Sequence, residues 1–338
     1  MGDERRSGRV ALVTGATGMV GPRVLDVFRQ AGFAVRTLSN TPPESDFVPA
    51  DVEVRTGDIG NMLTVRSAVE GVAVVVHLAA LLHVSDPPAS LRDAYERTNV
   101  GGTRAVVEAS QAAGVERVVF FSTIVVYGEA TGDALTEDSP VRPATLYAET
   151  KAEAERIVLA ARTAGGTPMG VVLRPGSVYG ARVKGNYRRL VRALARRRFV
   201  PIGPGSNRRA MVYDKDVADA AVLAATHPAA AGRVYNVSDG EEHTLQEIIW
   251  AICTALGRTP PRWHVPLWPV RAGVGLVERA ARVVGVRPLV SRATIDKYTE
   301  DIAVDSGRIR DELGFAPRYD LRAGWREAIG QMREAGEI

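Results

Sequence analysis

The sequence predicts an α/β protein built on a doubly wound parallel sheet, and three observations carry that prediction. Short apolar runs alternate with helical patterns through the first half of the chain. The first run, Arg9 to Val13, ends in the glycine-rich turn Thr14-Gly-Ala-Thr-Gly-Met-Val-Gly21 and passes directly into a helical pattern from Pro22 to Ala31. A later run, Val72 to Leu78, is almost continuously apolar, as a parallel strand covered on both faces must be.

The totals narrow the class. A chain of 338 residues has ample length for a core, as one large domain or two small ones. The net charge of +4 is mild and its basic residues are dispersed, so no nucleic-acid partner is implied. One cysteine, Cys253, excludes an internal disulfide and a cysteine-cluster zinc site, which fits a reducing cytoplasm. The histidines lack metal-ligand spacing, so no metal is predicted. Met1 to Arg9 is charged, without the apolar core of a signal peptide. The longest apolar stretch, Val72 to Leu82, is interrupted by His77 and too short for a stable membrane span.

Along the chain, Gly15, Gly18 and Gly21 let backbone N–H groups approach a dinucleotide pyrophosphate at the start of a helix. Ala34 to Leu38 reads as the second strand. Ser39-Asn40 follows it, where an NAD-specific site carries an acid for the ribose 2′-hydroxyl. The missing acid leans toward NADP, with Arg36 the nearby cation, and leaves NAD open. Val52 to Thr56 is a third strand ending at Gly57-Asp58-Ile59, where Asp58 suits either an adenine amine or the cap of a helix over Asn61 to Val69. Ala79-Ala80 suits close approach of a flat ring. Asp93 to Ala113 is a helix carrying Asn99, and the strand Arg117 to Phe121 delivers Ser122-Thr123 at its carboxyl end, where open α/β sheets bind ligands.

A helical run from Leu146 to Ala164 begins with Tyr147-Ala-Glu-Thr-Lys151. Spacing of four sets phenol and ammonium on one face, where the cation is expected to favour the phenolate. A tyrosine so placed exchanges a proton with a substrate oxygen. The chain has only four lysines against thirty-nine arginines, so a lysine kept here stands out, and arginine's planar, delocalised charge is a poor substitute.

Together Thr14-Gly-x-x-Gly-x-x-Gly21, Gly57-Asp58, His77-Leu-Ala-Ala80, Asn99-x-Gly-Gly-Thr103, Ser122-Thr123 with Val126-Tyr-Gly128, and Tyr147-x-x-x-Lys151 resemble the extended short-chain dehydrogenase/reductase family over nearly the full chain, most closely its nucleotide-sugar epimerase and reductase branch. The resemblance implies a Rossmann domain over 1–175, with 210–228 returning to it, and a smaller C-terminal α/β substrate domain over 176–209 and 229–338. It implies Thr123, Tyr147 and Lys151 as the catalytic set and an NAD(P) cofactor. Contacts to that cofactor are expected from Gly15, Thr17, Gly18, Met19, Val20, Ser39, Asn40, Asp58, Ile59, Leu78, Ala79, Ala80, Asn99, Ser122, Tyr147, Lys151, Pro175 and Val178. In the dehydratase branch acids follow the threonine; here Ile124 and Val125 do, so dehydration is disfavoured.

The second half carries the expected substrate contacts. The loop Arg174-Pro-Gly-Ser-Val-Tyr-Gly180 follows a strand, with Ser177 where sugar epimerases commonly have asparagine. Asn186 precedes a basic helix, Tyr187 to Arg198, whose arginines read as a solvated face. Val200 and Ile202 resemble a segment that packs on the nucleotide base. Arg209, with Arg208 second, resembles the diphosphate-gripping arginine, a residue type apt for bidentate phosphate contact. Arg292 is a further diphosphate candidate and His83 a sugar contact. Thr244-Leu-Gln-Glu247 is a capping-box pattern, and Leu267 to Val284 reads as a packed helix of the small domain, with contact to a membrane as the other reading. The expected activity is 4-epimerisation of a nucleotide sugar, most readily a UDP-sugar. A 4-ketoreductase of a deoxy nucleotide sugar, action on a polyprenyl-linked sugar and a non-catalytic dinucleotide-binding protein are the alternatives, and a homodimer is expected from the resemblance.

Overall fold

In the computed structural model, residues 8–42, 48–82, 91–128, 132–284 and 298–338 are described, side chains of 276–284 excepted. His83 and Arg292 lie outside the described residues.

The first half alternates as expected: β1 (Val10–Thr14), α1 (Gly21–Gln30), β2 (Ala34–Ser39), β3 (Glu53–Thr56), α2 (Met62–Val69) and β4 (Val72–His77). The helical region from position 92 to 112 is in three parts: α3 (Arg92–Tyr95), a π-helical turn (Glu96–Gly101) and α4 (Gly102–Ala112). The extra residue of a π-turn re-aims side chains, here around Asn99. Then come β5 (Arg117–Phe121), a 3₁₀ turn (Ile124–Tyr127), α5 (Leu146–Ala160) and β6 (Gly170–Pro175). These strands form one parallel sheet in the order β3-β2-β1-β4-β5-β6, closed at its far edge by β9 (Val234–Val237). Strand order reverses between β1 and β4, which opens the ligand crevice at their carboxyl ends.

Alternation along the central strands feeds two cores. Val74 and Val76 of β4, Val119 and Phe121 of β5, and Val171 and Leu173 of β6 pack toward α1 (with Val24, Leu25 and Phe28). Val75, Val118, Phe120 and Val172 face α2, α4 and α5. A sheet buried on both faces explains the near-continuous apolar runs.

The second part of the chain is organised around a three-stranded sheet in the order β10-β8-β7, from β7 (Ser177–Tyr179), β8 (Arg208–Tyr213) and β10 (Glu242–Thr244). Around it pack α6 (Gly185–Ala195), α8 (Leu245–Ala255) and a C-terminal helix (Leu321–Glu334), α11 below, on a core of Tyr179, Val191, Met211, Tyr213, Ile248, Ile252 and Trp325. Trp325 stacks on Tyr179 with centroids 4.8 Å apart. The capping box is present, Thr244 accepting from the Glu247 N–H at 3.2 Å and Glu247 from the Thr244 N–H at 2.8 Å. Between these elements lie α7 (Asp214–Thr226), α9 (Leu267–Val284) and α10 (Gly307–Leu313).

Several expectations are corrected. Residues 210–213 belong to β8 of the small sheet, while α7 packs in the large core with Val217, Ala220 and Ala221. The chain returns to the large body twice more, as β9 and through Ile309, Leu313 and Phe315 around α10. The basic helix spans Gly185–Ala195, so Asn186 sits in its first turn, and Arg197 adopts a left-handed φ of 55° beyond its end. The cap of α2 is Asn61, whose Oδ1 accepts from the Leu63 N–H at 3.0 Å; Asp58 instead accepts from the Gly60 N–H at 2.8 Å. The described start of α9 is half covered: Leu267, Pro269 and Val270 are partly buried, and Trp268, Arg271, Ala272 and Gly273 are exposed.

A buried polar chain joins the sheet to the helical layer. Thr103 donates to the Asn99 carbonyl at 2.6 Å, so its oxygen accepts from His77 Nε2 at 3.0 Å. That assigns the proton to Nε2 and leaves Nδ1 to accept from Thr14 Oγ1 at 2.7 Å, while Thr14 Oγ1 accepts from the Ala79 N–H at 3.3 Å. Burial, with the Lys151 charge adding to it, lowers the His77 pKa to about 3. A histidine lowered on folding binds its proton more readily in the unfolded chain, so its contribution to stability is lost as pH falls from 6.5 to about 3. Urea titrations across that window should show the stability difference between wild type and His77→Gln shrinking toward acid, by up to about 1.4 kcal/mol per pH unit. A difference independent of pH would contradict the neutral assignment.

Candidate active site

The site forms where β1, β4 and β5 deliver their carboxyl ends beneath α5. The glycine turn is a cradle in which side chains have no room. A Cβ on Gly15, at φ +71°, would lie 2.7 Å from the Ala79 nitrogen, and one on Gly21 would lie 2.0 Å from the Ala16 carbonyl oxygen. Gly15 thus holds the turn against the Leu78-Ala79 backbone, and Leu78 N–H donates to the Thr14 carbonyl at 3.1 Å. Thr17, Gly18, Met19 and Val20 complete the turn, with Val20 as the N-cap residue of α1.

The adenosine end also fits a dinucleotide. Ser39 is buried at the end of β2, and its Oγ has no hydrogen-bond partner, an orphan that a ribose hydroxyl would satisfy. Asn40 and Asp58 are exposed there and Ile59 is buried. Arg36, the cation considered for a 2′-phosphate, is spent elsewhere: it donates to Glu53 at 2.6 Å and to the Ala68 and Glu70 carbonyls at 2.9 and 2.7 Å. The lean toward NADP therefore loses its cation.

The residues expected as the catalytic set come from α5 and the end of β5. Thr145 caps α5, accepting from the Ala148 N–H at 3.2 Å, so Tyr147 enters in the first turn. Lys151 follows one turn on, 2% exposed, its Nζ 3.9 Å from the centre of the Phe120 ring. One turn further is Glu155, also buried, which accepts from Ser122 Oγ and is gripped by Arg174 at 2.9 and 2.6 Å. The Arg174 guanidinium in turn lies 4.7 Å from the Tyr127 ring centre. This network pins β5 and β6 to α5 and brings Thr123 to the catalytic helix. The Thr123 oxygen accepts from the Val125 N–H at 3.3 Å, which leaves its O–H as a donor for a substrate oxygen. Asn99, expected on the cofactor, uses its amide within the protein, accepting from Leu81 N–H at 2.7 Å and donating to Leu81 O at 3.2 Å and Thr150 Oγ1 at 3.1 Å. Thr150 passes the chain on to the Tyr147 carbonyl at 2.9 Å.

The electrostatics correct one expectation. Lys151 does not hold Tyr147 as a phenolate: burial pushes the phenol up to about 12, with Tyr95 adding to it. Burial likewise brings Lys151 down to about 7, against an upward pull from Glu155. Desolvation penalises the charged form of each group, and it is the largest influence on both. Burial also works against the Arg174 charge, but the Glu155 carboxylate more than offsets it and holds the guanidinium charged.

On the substrate side, Ser177 hydrogen-bonds the Tyr187 phenol, whose O–H lies 3.4 Å from Met211 Sδ. Arg208 is committed to Asp301 at 2.8 Å and Glu242 at 3.0 Å, and so is removed from the diphosphate candidates. Arg209 is mostly buried, donating to the Tyr298 carbonyl at 3.2 Å with Glu300 at 3.9 Å. Ile202 bridges to Val265, and Val200 is exposed beside it. Pro175 ends β6 and Val178 lies in β7, bordering the crevice.

Residues 11–238 match the model of the NAD dependent epimerase/dehydratase family. The chain belongs to that family. Its members include the UDP-glucose 4-epimerase of Vibrio cholerae, 28% identical over 98% of both chains. A 3 beta-hydroxysteroid dehydrogenase/Delta 5-->4-isomerase of Mycobacterium tuberculosis is 29% identical over 95% of this chain and 90% of its own. The solved structure of MoeE5 in complex with UDP-glucose and NAD is 28% identical, covers 97% of this chain and 99% of its own, and superposes with a TM-score of 0.77. The chain is thus an NAD-dependent enzyme of the epimerase, dehydratase and oxidoreductase type. In this family member Glu155 and Arg174 are the site residues that the motif reading passed over. Their signal was present, since Glu155 continues the spacing of four from Tyr147 through Lys151. Glu155→Gln should lower stability by about 3 kcal/mol because it strands a buried guanidinium, and Arg174→Met added to it should recover most of that loss. Thermal denaturation of the two variants checks this; equal losses in both would show that packing, not charge, governs the site.

Proposed function

We propose that the protein is an NAD-dependent 4-epimerase of a nucleoside-diphosphate sugar, most readily a UDP-sugar, acting through a 4-keto intermediate. What supports the reading is the site's chemistry: Tyr147 and Lys151 lie one turn apart on α5, Thr123 caps the turn after β5 that packs on α5, and no acid stands in the two positions after Thr123, where Ile124 is buried. Tyr147 removes the proton of the C4 hydroxyl and later returns it. Thr123 donates a hydrogen bond to the same oxygen and fixes it beside the phenol. Lys151, charged, stabilises the developing phenolate. NAD, when bound, would supply the hydride acceptor and donor for the C4 carbon of the sugar. Arg209 supports a diphosphate-bearing substrate: it stands mostly buried at the start of β8, and a guanidinium matches phosphate oxygens bidentately. Asn186, exposed in the first turn of α6, is the proposed nucleotide contact.

A second reading is a 4-ketoreductase of a nucleotide-linked deoxy sugar. Its support is the Tyr147 phenol, which burial pushes up to about 12, so that it carries the proton a ketone reduction must donate. An epimerase should purify with NAD retained and interconvert C4 epimers without net consumption; a reductase should consume added NAD(P)H one for one. Incubation with UDP- and dTDP-sugars followed by NMR of the C4 proton decides between them, and no C4 turnover of any such sugar sinks both.

Tyr147→Phe should lower turnover by about a hundredfold or more while cofactor binding survives. Unaffected turnover would refute the mechanism. Lys151→Met should abolish turnover yet raise thermal stability at neutral pH. Folding lowers the lysine from 10.5 to about 7, so burying it costs stability that grows as pH falls from 10.5 toward 7. Differential scanning calorimetry at pH 7 and pH 10 should show the variant's advantage larger at pH 7.

A further inference from the structure

Three of the four tryptophans stand on the surface: Trp250 is 48% exposed, Trp263 65% and Trp268 75%, while Trp325 is fully buried. Trp250 and Trp263 line one cavity together with Arg262, His264, Pro201 and Gly203. Their support is anchored. Val265, between Trp263 and Trp268, bridges to Ile202; its N–H donates to the Pro201 carbonyl at 2.9 Å, and its carbonyl accepts from the Gly203 N–H at 2.8 Å. The exposed Trp263 and Trp268 therefore flank an anchored backbone pairing.

Along the segment that carries them the charge is one-sided, while a second cavity beside Trp250 is lined by Glu241, Glu247 and Asp320 together with Arg322 and Arg326. From Ile248 to Val277 the sequence has no aspartate or glutamate, in a chain where about one residue in nine is acidic, yet it holds Arg258, Arg262 and Arg271. An indole has an apolar ring with a polar N–H and partitions to the boundary between lipid and water. Arginines beside it complement anionic headgroups. No helix among the described residues is long and apolar enough to cross a membrane, so any attachment of this face lies at the bilayer surface. A second copy of the chain is a poorer occupant, because a two-fold interface would set this basic face against itself.

We propose that the face carrying Trp250, Trp263 and Trp268 docks peripherally on an anionic lipid bilayer. The same cavity is lined by Tyr298, whose carbonyl accepts from Arg209, so docking sets the diphosphate side of the crevice next to the headgroups. This inference is independent of which sugar is turned over.

The test uses the full chain with phosphatidylcholine vesicles made with and without phosphatidylglycerol. With phosphatidylglycerol the protein should float with the vesicles, its tryptophan emission should shift to the blue, and brominated lipid should quench it. High salt should weaken all three effects. Trp263→Ser with Trp268→Ser should stay in the aqueous fraction with near-UV circular dichroism showing the folded protein, and Arg262→Glu should lose flotation even if the serine variant fails to fold. Absence of flotation on phosphatidylglycerol vesicles overturns the proposal. So does flotation of the folded serine variant at the wild-type level, or a blue shift that follows protein concentration without lipid, which would assign the face to self-association.

Discussion

The hydrogen-bond chain through His77 is the constraint on which the rest of the site depends. Thr14 ends the strand that opens the glycine turn, Thr103 sits on α4, and His77 bonds both at once with no solvent exposure. The same chain continues through Asn99 and Thr150 to the carbonyl of Tyr147. The glycine turn and the first turn of α5 are therefore registered by one run of polar atoms crossing the interior. Such a run stabilises only when every member is satisfied, and the directions of its donors leave His77 a single tautomer.

A second layer of control is desolvation. Burial penalises the charged forms of Tyr147 and Lys151 together, so the resting protein keeps the phenol protonated and the amine near neutrality. Glu155 opposes this for Lys151, and Arg174 holds Glu155 in place with two charge-assisted bonds. The arrangement is costly to the fold and useful to the chemistry: a site held away from its preferred charge state responds strongly when an ionic ligand enters.

Much of this was legible in the sequence because the relevant signals are local. Thr14 to Gly21 is a turn whose glycines answer to backbone sterics, and Tyr147 and Lys151 lie one helical turn apart. The alternation of apolar runs shows which strands are covered twice. What escaped the reading depends on long-range pairing. Whether Asp58 or Asn61 caps α2 turns on backbone angles; the commitment of Arg208 to Asp301 spans ninety-three residues, and the return of β9 to the large sheet is a matter of topology. The sign of the Tyr147 shift was misjudged for the same reason, since a motif shows the neighbouring charge but not the water that burial has removed.

The scarcity of lysine gives Lys151 a further property. Of the other three, Lys215 is held charged by Glu327 and Tyr319, Lys184 is exposed, and Lys297 lies outside the described residues. An amine brought down to about 7 is substantially unprotonated at neutral pH and therefore nucleophilic, yet at 2% exposure it meets only reagents that enter the crevice. Among the described lysines, reactivity and seclusion thus coincide at this one amine. A ligand-shaped electrophile would find in it a covalent handle inside the crevice.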